Sequence, residues 1–346
     1  MLTIKDIARE SGYSVSTVSR VLNDRKDVSP EAKRKIEKTV AAHQFIPNSN
    51  AKHLKQSSSR NIAVLVKGSS NLLFSSIVEE IQKRIEKTNF KTCIIYVDEE
   101  DNEVKEAVKA CRERKPVGIM FLGGNPEFFQ EGFGQIKIPS VLVSNRGDDL
   151  GFANLSSVAI DDVAAGEFAV DYLIGGGHRK IGILGGDFAL SDVSRQRYKG
   201  CIHGFQKHQI KFDGKLYFEG SRFTYQGAYQ AMKRLLKKAK DITVVFAMSD
   251  VMAIGAIRAL LDCGKQVPED ISVMGFDGIA VGEYYNPKLT TIQQKYKVLA
   301  ERSVDILLQA MGESHAPIHE IVPFHLIPGE SVRSLRQDTF SKIIIE

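Results

Sequence analysis

Val15, Ser16, Thr17 and Arg20 fall within six residues of one another in the run SVSTVSRVLN, and their types suit the reading of DNA. Serine and threonine hydroxyls bond to bases or phosphates, a valine methyl rests against a thymine methyl, and an arginine fork pairs with guanine or holds phosphate. Covalent chemistry has no comparable set. GGGHRK (175–180) is glycine-rich but lacks the spacing of a phosphate-binding loop, and no GxSxG, HExxH or kinase signature occurs. His178, after three glycines, is expected to interact with helix carbonyls rather than to act in catalysis. Cys93, Cys111, Cys201 and Cys263 are far apart and form no CxxC pair, so neither a disulfide framework nor a metal site is expected, and no cofactor is implied.

The DNA-reading residues need a helix held end-on to a groove, and the flanking sequence supplies one. Thr3 and Asp6 make a capping-box-like start, with Ile4, Ile7 and Ala8 on one face of a first helix. Gly12 then provides the left-handed turn that only glycine adopts without steric cost. Ser14 caps a second helix, in which Val15, Val18, Val21 and Leu22 recur at helical spacing. A third helix begins at Ser29 and Pro30, with Ile36 and Val40 facing inward. This is helix-turn-helix spacing, in which the start of the second helix meets base edges in the major groove. A three-helix bundle with no DNA role is the competing reading.

The charge distribution points to an anionic partner, a nucleic acid or a membrane surface, with a solvated basic face without a partner as the competing reading. Of 47 Lys and Arg and 42 Asp and Glu, residues 1–60 hold 12 and 6, whereas the remainder holds 35 and 36. The excess of +5 therefore lies in the first sixth of the chain. Hydrophobic residues at 43% and charged residues at 26% are those of a globular protein. No apolar run reaches the ~20 residues that span a bilayer, and MLTIKDIARE carries acids where a signal peptide is basic and then apolar, so a cytoplasmic protein without membrane contact is expected.

Residues 45–60, FIPNSNAKHLKQSSSR, allow one or two helical turns after Pro47, capped by Asn48 or Ser49, with Ala51 and Leu54 sharing a face. So short a helix needs a partner, either DNA or a second copy of itself. Leu54 is then a minor-groove wedge, or else the segment is a linker whose leucine packs on the bundle. From residue 61 onward, apolar runs of strand length (NIAVLV, TCIIYV, VGIMFL, KIGIL, TVVFAM, ISVMGF) alternate with helical stretches. That rhythm implies doubly wound parallel sheets, and about 285 residues are many for a single one, so two lobes are expected with a ligand cleft between them.

These motifs resemble the lactose-repressor (LacI/GalR) family of bacterial transcription regulators. The resemblance runs through TIKDIARESGYSVSTVSRVLN, FIPNSNAKHL, YLIGGGHRKIGILGG, SRQRYKGCIHGF, AMSDVMAIGAIRAL, CGKQVPEDISVMGFDG and PKLTTIQQ, in order over nearly the whole chain. It implies an all-α headpiece (1–46), a hinge helix and linker (47–60), and two α/β lobes of periplasmic-binding-protein type. The first lobe takes 61–160 with 290–322, and the second takes 161–289 with 323–346. The DNA-contacting set becomes Thr3, Val15, Ser16, Thr17, Ser19, Arg20, Asn23, Asn48, Ala51 and Leu54, with Leu54 inserted between central base pairs. A homodimer on a pseudo-palindromic double-stranded operator, controlled by a small-molecule effector such as a sugar, is also implied.

In the core, the resemblance points to Phe74 flanking the effector, Arg197 bonding its polar groups and Asp277 accepting its hydroxyls or amines, with Ser144, Ser191 and Ser249 as weaker matches. Two departures stand out. Arg222 replaces an aromatic residue of many relatives, leaving Phe223 or Tyr225 to stack on the ligand. Turned into the cleft, Arg222 favours an anionic effector such as a sugar phosphate; turned to solvent, it leaves a neutral carbohydrate as the default. Gly329 stands where an arginine often precedes the final ES, and the tail beyond Leu335 has no leucine heptads, which favours a dimer over a tetramer. The function expected is a ligand-responsive repressor of a carbohydrate-related operon. The alternatives are a corepressor-dependent regulator with a nucleotide or sugar-phosphate effector, a DNA-binding architectural protein, and an enzyme on an α/β scaffold.

Overall fold

The computed structural model describes residues 3–22, 25, 28–43, 60–68, 71–312 and 316–336. The positions expected to touch DNA at Asn23, Asn48, Ala51 and Leu54, and the hinge helix itself, lie outside the described residues. The chain divides into two units, Met1–Ser59 and Arg60–Glu346.

The first unit contains α1 (Ile4–Ser11), α2 (Val15–Leu22) and α3 (Pro30–Ala42). Ile7, Ala8, Val18, Val21 and Ile36 bury one face of each helix in a shared core. The Asp6 carboxylate accepts from the Thr3 hydroxyl at 2.7 Å and from the Thr3 amide at 2.9 Å, and both bonds hold its carboxyl below the usual range. Gly12 ends α1 at φ 73°, and an added Cβ there would meet nothing nearer than Lys35 Nζ at 3.8 Å. The turn therefore requires glycine for its backbone angle and not for space. Ser29 accepts from the Ala32 amide at 3.3 Å and Pro30 opens α3.

The second unit runs, in chain order, β1 (Asn61–Lys67), α4 (Leu72–Ile85), β2 (Lys91–Val97), α5 (Glu103–Arg114), β3 (Gly118–Leu122), α6 (Pro126–Gly132), β4 (Ser140–Val143) and β5 (Leu155–Ala159). It continues with α7 (Asp162–Gly175), β6 (Ile181–Gly185), α8 (Asp192–Lys207), α9 (Gly214–Tyr217), β7 (Phe218–Gly220), α10 (Tyr225–Lys238), β8 (Val244–Ala247), α11 (Asp250–Asp262), β9 (Ser272–Asp277), α12 (Ala280–Tyr284) and β10 (Thr290–Gln293). Last come α13 (Tyr296–Gly312), β11 (His319–Ile321) and β12 (His325–Ile327).

Two six-stranded sheets result, in the orders β11-β5-β4-β3-β1-β2 and β12-β10-β9-β8-β6-β7. All described pairings are parallel except β10 with β12. The central strands β3, β4, β5, β6 and β8 are buried at every residue, so that β3 and β8 read as apolar runs without alternation, whereas β5 buries Ser156 and Ser157, whose hydroxyls accept from the Ile318 and Gly147 amides. The chain passes between the lobes after β5, after β10 and between β11 and β12. Residues 290–293, expected in the first lobe, pair with β9 in the second sheet: Thr290 lies beside Met274 and Gln293 beside Asp277. The second crossing therefore follows that strand instead of preceding it. Beyond it, α13 returns to the first lobe and packs Leu299, Val304 and Leu307 with Ile77 and Ile81 of α4.

In the second lobe α7 and α8 meet backbone to backbone. A Cβ on Gly166 would lie 2.2 Å from the Arg197 carbonyl oxygen, and one on Gly200 would lie 2.0 Å from that of Val163. Glycine is required at both positions by the close approach of the helices. This contact seats Asp162, at the start of α7, beside Arg197 of α8.

Candidate functional site

In the headpiece, Val15, Ser16 and Arg20 are exposed on α2, with Thr17 and Ser19 half-buried. The Ser14 hydroxyl accepts from the Thr17 amide at 3.2 Å, and it lies 2.8 Å from Ser16 Oγ and 2.9 Å from Thr17 Oγ1. One serine thus caps the helix and gathers the hydroxyls of its first turn, while Val18 and Val21 hold the opposite face in the core. Thr3 is exposed at the start of α1.

In the second unit, a cavity of about 500 Å³ lies between the two lobes. It opens beyond the carboxyl ends of the strands, where doubly wound sheets bind ligands. Phe74, Ser144, Ser191, Arg197, Arg222 and Asp277 all line it. Phe74 is positioned by Asn71, whose side chain accepts from the Leu73 and Phe74 amides and caps α4. Ser144 sits at φ 71° just past β4, and Ser191 caps α8 through the Ser194 amide. Phe188, Phe218 and Phe223 add an aromatic wall, with Phe188 stacked on Phe218 at 4.7 Å between ring centroids.

The polar floor is a connected network. Arg197 Nε donates to Asp162 at 2.8 Å, its Nη1 donates to the Met248 carbonyl at 2.6 Å, and its guanidinium lies 3.6 Å from the Phe276 ring centroid. Asp277, at φ 111°, accepts from Gln294 Nε2 at 2.8 Å. Burial pushes its carboxyl up to about 6, against the pull of Arg197. Beneath it, fully buried Asp250 accepts from the Thr291 hydroxyl at 2.6 Å and the Ile279 amide at 2.8 Å, and burial together with the Asp277 charge raises its carboxyl well above the ordinary range. Gln294 Oε1 is buried with no hydrogen-bond partner, although its residue lines the cavity. Such an acceptor is costly unless a ligand donor satisfies it.

At the mouth, Arg222 of the second lobe meets Asp98, Glu99 and Glu100 of the first. Three further contacts span the cleft: Arg195 with Glu127 at 3.4 Å, Asn125 Nδ2 donating to the Ala189 carbonyl at 3.2 Å, and the Phe223 amide donating to Glu99 at 3.3 Å. The lining holds six acidic side chains (Asp98, Glu99, Glu100, Asp187, Asp192, Asp277) against three basic ones (Lys67, Arg197, Arg222).

Comparison with known proteins identifies this architecture. Residues 3–48 match the family described as bacterial regulatory proteins, lacI family, and residues 170–332 match a periplasmic binding protein-like domain. The chain is 38% identical over 336 residues to the HTH-type transcriptional regulator MalR of Clostridium butyricum, covering 95% of this chain and 99% of that protein. It belongs to the lacI family. It is therefore a DNA-binding transcriptional regulator of a family that is not enzymatic. It is also 30% identical over 309 residues to the ribose operon repressor of Haemophilus influenzae, covering 89% of this chain and 92% of that one. A lacI-family regulator from Enterococcus faecium with bound ribose superposes with a TM-score of 0.70 at 27% identity, over 80% of this chain and all of that chain.

Several positions of this lacI-family chain differ from the sequence expectation. Ser249 does not line the cavity: its buried hydroxyl accepts from the Met252 amide and caps α11. A serine directly after a strand suits either task, and here helix capping takes it. His178 bonds a helix carbonyl through its backbone amide, which donates to Leu173 at 3.1 Å, but its imidazole goes elsewhere. Its Nδ1 lies 2.9 Å from Thr243 Oγ1 and its Nε2 3.0 Å from the Arg333 carbonyl, while Arg179 takes the Ile174 carbonyl. Burial lowers the His178 pKa, as expected for an imidazole serving as a neutral tie. Of the two aromatic substitutes for stacking, Phe223 lines the cavity and Tyr225 does not. Sequence reasoning missed Asp250 and Gln294; the SD and QQ pairs that follow strands were their only local signal. Among the described residues, no helix is long and apolar enough to cross a membrane, and no cluster of His, Cys, Asp and Glu is arranged to hold a metal ion.

Proposed function

We propose that this chain is a cytoplasmic, homodimeric repressor whose grip on a pseudo-palindromic operator is set by a neutral carbohydrate in the interlobe cavity. The observation that carries the effector class is the lining itself: aromatic faces beside a network rich in hydrogen-bond acceptors, with twice as many acids as cations. Sugar hydroxyls donate to carboxylates and sugar faces rest on aromatic rings, whereas phosphate or carboxylate groups meet repulsion there. Phe74 and Phe223 would take the apolar faces, and Asp277, Gln294 and Arg197 the hydroxyls. Relatives support the same class, one being a ribose operon repressor and another a lacI-family regulator with bound ribose.

On the DNA side, α2 would enter the major groove with Val15, Ser16, Thr17 and Arg20 toward base edges, flanked by Thr3, Ser19 and Asn23. Asn48, Ala51 and Leu54 would act from a hinge helix formed on DNA. Exposed Val281 and Tyr284 around α12, and Tyr96 on edge strand β2, offer apolar surface to a second copy. Effector binding would favour one lobe arrangement and so alter the spacing of paired hinge segments, by no more than its differential affinity for the two arrangements, typically ~1–3 kcal/mol.

A thermal-shift screen of neutral sugars, sugar phosphates and nucleobases tests the effector class, followed by operator titration with each hit. A neutral sugar that raises the melting temperature and changes operator affinity is the expected result. Stabilisation by nucleobases alone would replace this reading with that of a corepressor-dependent regulator, and consumption of the hit would make the protein an enzyme.

A further inference from the structure

Arg222 lines the cavity, yet its guanidinium is filled by protein. Nη2 lies 2.8 and 2.7 Å from the two Asp98 oxygens, Nε lies 2.6 Å from Glu99, and Nη1 lies 3.5 Å from Glu100. Glu99 also accepts from the Phe223 amide at 3.3 Å, which ties the acidic loop to the backbone that carries Arg222. A guanidinium is the side chain best shaped to grip phosphate or carboxylate in two-pronged fashion. Here each edge of the fork meets a carboxylate from the opposite lobe. The other two cations of the lining are also engaged, Lys67 with Glu103 and Arg197 with Asp162.

An entering anion would therefore have to displace an acid from Arg222. The displaced carboxylate would then stand beside the newcomer, in a cavity that already holds Asp187, Asp192 and Asp277. Like charges brought together there repel, which disfavours the anion. An uncharged polyol disturbs none of these pairs.

We propose that Arg222 with Asp98, Glu99 and Glu100 forms a specificity gate, in which three carboxylates occupy the cation that would otherwise bind an anionic effector. The gate rests on the reading of this cavity as the effector site and names the residues that set the charge class of its ligand.

The test uses the full chain with inorganic phosphate and glucose-6-phosphate as anionic probes, and cellobiose and ribose as neutral ones, read by calorimetry. The wild type should bind neither anion. The variant D98N/E99Q/E100Q frees Arg222 and should bind glucose-6-phosphate at least about tenfold more tightly than the wild type does. Adding Arg222→Ala to that variant should abolish the gain. The half-exposed single changes Asp98→Asn and Glu100→Gln guard against misfolding of the triple variant, and each should give a smaller gain in the same direction. Tight binding of glucose-6-phosphate by the wild type, the absence of any gain in all three variants, or a gain that survives Arg222→Ala would overturn the gate. An anion gain without any binding of neutral sugars would uphold the gate and remove the carbohydrate assignment instead.

Discussion

Gln294 is bonded to Asp277 twice: its side-chain Nε2 donates to the carboxylate at 2.8 Å, and its backbone amide donates to the Asp277 carbonyl at 3.0 Å. Gln294 stands where the chain leaves β10 for the first lobe, so the acid facing the cavity is fastened to a lobe crossing. Asp250 fixes the other side of that acid's loop through the Ile279 amide. A ligand that draws on Asp277 therefore pulls on a hinge strand as well as on a pocket wall.

Asp277→Ala is expected to abolish the effector response while operator binding persists. Operator titration with and without the sugar found in the thermal-shift screen checks this. A normal response would move the pocket elsewhere.

Gln294→Leu keeps the volume of the side chain but removes both its donor to Asp277 and its unpartnered acceptor. The expected outcome is an effector affinity lower by about tenfold, for the loss of one or two buried hydrogen bonds. Calorimetry on the variant measures this, and unchanged affinity would mean that ligand hydroxyls do not reach Oε1.

Protonation gives an independent handle. Asp277 is pushed up to about 6, and burial also raises Asp162 and Asp250. A carboxyl whose folded pKa exceeds its unfolded value binds more protons in the native state, so its contribution makes stability fall as pH rises from about 4 through about 6. Urea denaturation across this window should show that slope, and Asp277→Asn should reduce it. Effector affinity should move the other way and weaken below about 6, because a protonated Asp277 is a poorer acceptor for ligand hydroxyls. An affinity that stays flat down to pH 5 would exclude Asp277 from direct contact.

In the headpiece, Gly12→Ala forces a β-carbon onto a φ of 73° with free space around it, so the cost is conformational, about 1 kcal/mol. Melting of the isolated unit by circular dichroism would detect it, and Gly12→Asn should be milder because asparagine tolerates the left-handed region. No change in melting would mean that the turn relaxes at no cost.

Leu54→Ala is expected to weaken operator binding and reduce DNA bending while effector binding is kept. Gel-shift assays on circularly permuted fragments report both quantities. Unchanged affinity and bend would assign the segment to a passive linker.

The parts of the molecule legible in the sequence were those with local causes. Thr3 with Asp6, Gly12, Ser14 and Ser29 set helix ends through contacts at most four residues away, and each acts as its type and position suggest. Apolar runs mark β3 and β8, where burial on both faces leaves no room for alternation, while β5, with two buried serines, carries no such signal. Phe74, Ser144, Ser191, Arg197 and Asp277 were brought together through motif resemblance, since their meeting is a product of topology and no spacing in the chain encodes it. The pairing of Arg222 with Asp98 joins positions 124 residues apart, and nothing in the spacing of the chain encodes it. Ser249, which does not line the cavity, spends its hydroxyl on the local duty of capping α11.

The glycine contact between α7 and α8 has a mechanical meaning. Helices that touch main chain to main chain at Gly166 and Gly200 cannot slide past each other without breaking a fit finer than a methyl group. The half of the core that holds Asp162 and Arg197 is thereby a stiff plate. Any rearrangement of the lobes is therefore expected to fall on the three thin ribbons of chain that join this half to its neighbour, as tilt instead of sliding.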